Sequence, residues 1–164
     1  MVLFAAVVLL GIGAAYAATT TVTATIKFLS DLSITVVSQP NFGYVKAGQI
    51  GTYVLDPLTG LVTASGGGVV EGGTTNAGVY TITGSASDTI NISASGYTVS
   101  GASTPSAANC SYNGGAEVAN CAITAGVAPG AGKTLKVGLQ IATTAAGVDN
   151  TSNTPSFTLT VVYQ

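Results

Sequence analysis

Histidine, arginine and tryptophan are all missing from this chain of 164 residues, which carries only two cysteines and one methionine. Without histidine the usual general base of hydrolases and transferases is gone, and so is the commonest ligand for transition metals. Without arginine, and with four lysines in all, there is no basic cluster able to displace counterions from phosphates. Only Lys133 and Lys136 lie near one another. Nucleic acid is therefore not an expected partner. Charge of either sign is scarce: 6% of residues are charged, against roughly 25% in an average soluble domain. Such a surface must be covered by Thr, Ser, Asn and Gly, as in secreted β-proteins and fibre subunits.

The six acids, Asp31, Asp56, Glu71, Asp88, Glu117 and Asp149, stand one by one. Asp56 precedes a proline, a common way to open a turn. Folding can still bring two carboxylates together as in glycosidases, which keeps a secreted hydrolase as a third, minor class. Of the Gly-rich stretches, residues 66–73 lack the Gly-Lys-Ser/Thr ending of a phosphate loop. Gly132-Lys133-Thr134 has that ending, but Val127 stands where the pattern needs its first glycine, and a strand rather than a helix should follow. The chain is read as non-enzymatic, with no catalytic residue, cofactor, metal or small-molecule substrate.

Hydrophobic residues, by contrast, make up 47% of the chain, enough for one compact domain with a sizeable core. Residues 2–12 form an apolar run of the length of a signal-peptide h-region, and Ala15-Tyr16-Ala17 fits the small-x-small cleavage pattern. The usual basic n-region is absent. The competing reading is a retained transmembrane helix, for which the run is short of the ~20 residues a bilayer requires. Residues 1–17 are accordingly read as a signal peptide and the protein as secreted, to a cell surface or extracellular filament. Cys110 and Cys121 agree with export. They flank the turn signal Asn113-Gly114-Gly115, and a disulfide across that hairpin is favoured over a metal pair, which would need further ligands. Asn91, Asn109 and Asn150 each begin an N-glycosylation acceptor pattern.

Period-2 alternation runs through the rest, and no amphipathic stretch of helical period appears. In residues 21–28, Val22, Ala24, Ile26 and Phe28 share one face, with threonines and Lys27 on the other. Further strands are expected over residues 32–36, 51–55, 61–64, 79–84, 89–94, 96–100, 117–125, 133–142 and 157–163. Asp56-Pro57-Leu58-Thr59-Gly60 forms a turn between two of them. These short strands with Gly-, Ser- and Thr-rich interruptions predict an all-β fold, an antiparallel Greek-key or Ig-like sandwich. The expected organisation is an N-terminal extension over residues 18–30 and one sandwich over 31–164.

The last strand places Phe157, Leu159, Val161 and Tyr163 on one face. An alternating C-terminal strand with a penultimate tyrosine resembles the ending of chaperone–usher fimbrial subunits. The order Leu32-Ser33-Ile34, Asn41-Phe42-Gly43, Ala47-Gly48, Gly51-Thr52, Asp56-Pro57 and Gly66–Gly68, then Leu135-Lys136-Val137-Gly138 and the terminal Thr160-Val161-Val162-Tyr163, is similar to a family of small secreted bacterial proteins. That family is a domain of unknown function with a pilin-like β-sandwich. The Cys110/Cys121 pair and the 149–155 stretch depart from the fimbrial pattern, and camelysin-like biofilm fibres are further possible relatives.

The resemblance implies a filament subunit assembling head to tail with copies of itself, served by a periplasmic chaperone and usher. Val22, Ala24, Ile26 and Phe28 would then form a donated strand, and the acceptor groove would lie between the first and last strands of the sandwich, with Phe157, Leu159, Val161 and Tyr163 on the last. The same segment can instead pair within its own domain. A second class, a carbohydrate- or surface-binding module, asks for exposed aromatics among Tyr44, Tyr53, Tyr80, Tyr97 and Tyr112.

Overall fold

The computed structural model describes Thr21 and residues 23–164. The expected signal peptide, 1–17, and Val22 lie outside the described residues. Eleven strands run in the order β1 (Ser33–Ser38), β2 (Asn41–Val45), β3 (Gly51–Leu55), β4 (Val62–Ser65), β5 (Val70–Asn76), β6 (Gly78–Thr83), β7 (Ile90–Thr98), β8 (Ser103–Tyr112), β9 (Ile123–Gly126), β10 (Lys133–Thr143) and β11 (Ser156–Tyr163). Every ladder among them is antiparallel.

The larger sheet is built around β10, the longest strand. One edge of β10 pairs with β8 along nearly its whole length. The other edge is shared: β6 pairs with residues 133–137 and β3 with residues 140–143. Beyond β6 lies β1, and beyond β3 lies β4. Gly138 sits where the two partners meet, and a Cβ there would run into the carbonyl oxygen of Leu55 and the ring of Pro57. The smaller sheet has the order β11-β7-β9, and β2 and β5 form a separate ribbon.

Alternation gives each of these sheets one apolar face, and the two faces close on a single core. From the larger sheet come Ile82, Ala108, Cys110, Tyr112, Leu135, Val137, Leu139 and Ile141; from β7 come Ile90 and Ile92. Phe157, Leu159, Val161 and Tyr163 of β11 pack against this cluster and remain half-buried. The arrangement is that of an all-β antiparallel sandwich. Fully burying an aliphatic side chain contributes about 1.5–3 kcal/mol, so this cluster is the main favourable term for the fold.

Several expectations are corrected. β8 falls where no strand is predicted, because its inward positions are filled by small Ala108 and Cys110 and Pro105 interrupts it. The proline is accommodated because β8 is an edge strand and its register shifts at Gln140/Ile141, opposite Pro105. β2 and β5 are also absent from the prediction; the Gly72-Gly73 pair inside β5 reads as a loop, yet both glycines take positive φ within a bulged ladder. The strands predicted over 89–94 and 96–100 are one continuous β7, in which Gly96 adopts φ +63. The strand predicted over 117–125 is a short 3-10 turn, Ala119–Cys121, followed by β9. Residues 21 and 23–31 belong to no strand and lie exposed on the surface.

Candidate functional site

The two sides of the sandwich are closed differently. On the side of β8 and β9, the segment between them is tied down by covalent and polar contacts. Asn113 and Gly114 take positive φ, and the amide of Gly115 donates to the carbonyl of Tyr112 at 3.0 Å, which makes the turn. Cys110 and Val118 exchange backbone hydrogen bonds at 3.0 and 2.7 Å. Cys110 and Cys121 are joined by a disulfide with Cα atoms 4.7 Å apart, both fully buried. The Tyr112 hydroxyl donates to the carbonyl of Val127 at 3.0 Å, and burial pushes its pKa up. The 3-10 turn packs on β8 of one sheet and β7 of the other. On this side the two sheets are cross-linked, although among the described residues β8 and β9 also form ladders along one edge only.

The opposite side carries no disulfide. β1 pairs only with β6, and β11 only with β7, among the described residues. Each therefore presents a free row of backbone N–H and C=O groups. Ile34 stands opposite the buried Ile82, and Val36 opposite Tyr80, so both point to the core side of the sheet. They nevertheless remain 38% and 51% exposed. In β11, at the edge of the other sheet, half-buried Phe157, Leu159, Val161 and Tyr163 alternate with exposed Ser156, Thr158, Thr160 and Val162. Ile34 and Val36 thus stand on the core side of one free edge strand and Phe157, Leu159 and Val161 on the core side of the other, and we call the apolar strip they carry the seam.

One end of the seam is closed by polar contacts. The Tyr163 hydroxyl accepts a hydrogen bond from the amide of Ser85 at 2.6 Å and donates to the carbonyl of Ser30 at 2.5 Å. β1 thus begins where β11 ends. From Ser30 the chain runs back as an arm over the end of the sandwich. Ala24, Ile26 and Phe28 of this arm are exposed, Ile26 by 75% and Phe28 by 84%. Lys27, on the alternate face, forms an ion pair with Asp88. Asp88 also accepts hydrogen bonds from the hydroxyls of Ser85 at 2.6 Å and Ser87 at 3.2 Å. The lysine, then the serine hydroxyls, hold its carboxyl below the ordinary aspartate range.

No family model, no curated protein and no solved structure matches this chain. Function must be argued from the seam and the arm themselves.

Other parts of the surface offer less. Of the five tyrosines considered for a binding platform, only Tyr44 is exposed; Tyr53 and Tyr112 are buried, and Tyr80 and Tyr97 are partly covered. Among the described residues no three His, Cys, Asp or Glu side chains gather at one place, and no helix is long and apolar enough to cross a membrane. Shallow hollows of about 310 and 410 Å³ flank the 113–116 turn; the first holds Lys136, whose amine donates to the carbonyl of Leu58. Of the glycosylation acceptor patterns, Asn150 lies on an exposed turn, whereas Asn91 and Asn109 sit within paired strands, the Asn91 side-chain oxygen accepting from the amide of Ala125 and the Asn109 side-chain amide donating to Glu117.

Residues 157, 159, 161 and 163 stand together on one wall of the seam. The second wall, Ile34 and Val36, is readable in the sequence as the alternating strand over 32–36. The contact of Lys27 with Asp88 carries no sequence signal, since the two are 61 residues apart and nothing in the pattern around either names the other.

Proposed function

We propose that this protein is a structural subunit of an extracellular filament, in which the arm of one copy fills the seam of the next. The observation that carries this reading is that, among the described residues, β1 and β11 each keep a free edge with an apolar core-side face, and Thr21 and residues 23–28 of an alternating segment of matching length join no strand ladder. β11 is 8 residues long, and the alternating segment, residues 21–28, extends as far at about 3.3 Å per residue. Inserted, it would supply backbone hydrogen bonds to both free edges and side chains to the apolar wall. Burial of Val22, Ile26 and Phe28 would contribute about 1.5–3 kcal/mol each. A donor and an acceptor at different places on one subunit make a heterologous contact, which propagates into a filament when it does not close into a ring.

On this reading the sandwich is of the Ig-like, pilin-like kind, with residues 18–30 as the donor extension, residues 1–17 removed on secretion, and Greek-key connections. The scarcity of charge fits dense packing of identical copies. A periplasmic chaperone and usher would be the assembly partners that the fimbrial resemblance implies, the chaperone covering the seam until a neighbour's arm takes its place.

The test is electron microscopy and gel filtration of the secreted chain with and without residues 19–28. Thin filaments from the full chain and a seam-exposing monomer from the truncated one are expected. Filaments that form equally well without the arm would sink the reading.

A further inference from the structure

The arm has a nearer target than a neighbouring copy. β1 follows it directly, and the free edge of β1 faces the same seam. A three-residue reversal at Leu29-Ser30-Asp31, with two turn-forming residues, would lay the arm against β1 as a hairpin with Ile26 opposite Ile34 and Ala24 opposite Val36, on the core side. Closing so short a loop costs far less entropy than capturing a second molecule at low concentration. The subunit would then fill its own seam and stop growth. Three side chains stand against that outcome. Tyr163 holds the carbonyl of Ser30, at the very place where the reversal has to form. The same hydroxyl is fixed by the amide of Ser85. Lys27 is drawn to Asp88, beyond the end of β6 and just before β7, which leads the arm away from β1. Asp88 is itself braced by Ser85 and Ser87. Because Lys27 lies on the polar face of the arm, this hold leaves Ile26 and Phe28 exposed.

We infer that Tyr163, Lys27 and Asp88 are positioning residues that keep the arm out of its own seam and so direct it to a second copy of the chain. The inference rests on the donor-strand reading. It makes the choice between self-filling and donation depend on a few polar contacts. The lysine side of the ion pair is open to solvent, which screens it, so the hold is weak enough to yield when a neighbour's seam offers apolar burial.

The test compares the full-length secreted chain with Tyr163→Phe, Asp88→Asn and Lys27→Gln, and with Lys27→Arg as the conservative control. Monomer isolated from each is probed by hydrogen exchange over residues 21–28 and by limited proteolysis of the arm, and filament yield is measured in parallel. The three releasing variants are expected to protect the arm amides in the monomer and to lower filament yield several-fold, while Lys27→Arg behaves as the unaltered chain. Lys27→Gln changes only the arm, so it keeps the test valid if an alteration within the sandwich impairs folding. Arms that stay as exchange-prone and as cleavable in the releasing variants as in the parent would overturn the inference. That comparison uses monomer alone, so it stands even if the parent forms no filaments, the outcome that would defeat the donor-strand reading instead.

Discussion

At the scale of single residues, the fold depends on side chains that satisfy backbone groups where strands end. Asp56 is the clearest case. Its carboxylate accepts hydrogen bonds from the amides of Leu58 at 2.6 Å and Thr59 at 3.1 Å, and its own carbonyl accepts from Gly60 at 2.9 Å. The amides of Thr59 and then Leu58 hold its carboxyl below the ordinary aspartate range. A lowered pKa in the folded chain means that the unfolded chain takes up the proton more readily, so this contribution is present above the ordinary aspartate value of about 3.9 and is lost as pH falls through the folded value. Asp56→Asn, which keeps an oxygen acceptor but no charge, is expected to be less stable than the parent at neutral pH. The gap in urea midpoint between the two should close as pH drops below about 4. A gap unchanged at acid pH would mean that the charge is not what the turn uses.

At the scale of elements, the junction on β10 decides whether two strands can share one edge. Gly138 lets Leu55 and Pro57 pass over the backbone at the point where β6 leaves and β3 enters; the Pro57 nitrogen would lie 2.9 Å from a Cβ built there. Nothing flexible can yield, because the obstacles are backbone and a proline ring. Gly138→Ala is therefore expected to destabilise by about 1–3 kcal/mol or more, and to loosen exchange protection of β3 and β4 ahead of β8, which lies on the other edge. Uniform loss across all strands would contradict the shared-edge account. β3, β6, β10 and β11 are legible in the sequence because large residues alternate onto a buried or half-buried face, and β1 because the same alternation persists although its core-side residues stay exposed. β8 is not: Ala108 and Cys110 make it look like a loop, and its strand character comes from pairing with β10 along its length. β5 is hidden for a similar reason, since its glycines give no alternation and its ladder depends on β2. The seam was half legible, with β1 and β11 visible as alternating strands. That neither finds a second partner among the described residues is a property of sheet order, which local pattern does not carry.

At the scale of the whole molecule, the sandwich is asymmetric: a disulfide and a chain of hydrogen bonds cross-link one side, and on the donor-strand reading the other takes an added strand. Stability of the isolated subunit should then depend on whether the seam is occupied. A ligand that binds only the folded state stabilises by RT ln(1 + [L]/Kd), about 2.7 kcal/mol at one hundred times Kd. For the armless subunit, a synthetic peptide of residues 19–29 is expected to raise the melting temperature on the order of 10 °C at that excess, in proportion to the logarithm of its concentration. The same peptide with Ile26 and Phe28 both changed to Thr keeps the backbone and loses most of the apolar burial, so it should give a small fraction of the shift. Changing Val36 to Lys in the subunit puts an ammonium on the apolar wall and should weaken the parent peptide likewise, while a substitution at Tyr44, on the separate β2–β5 ribbon, should not. Equal shifts from the two peptides would mean that the seam does not read the apolar face of the arm; no shift from either would leave the seam without the strand that the donor model assigns to it.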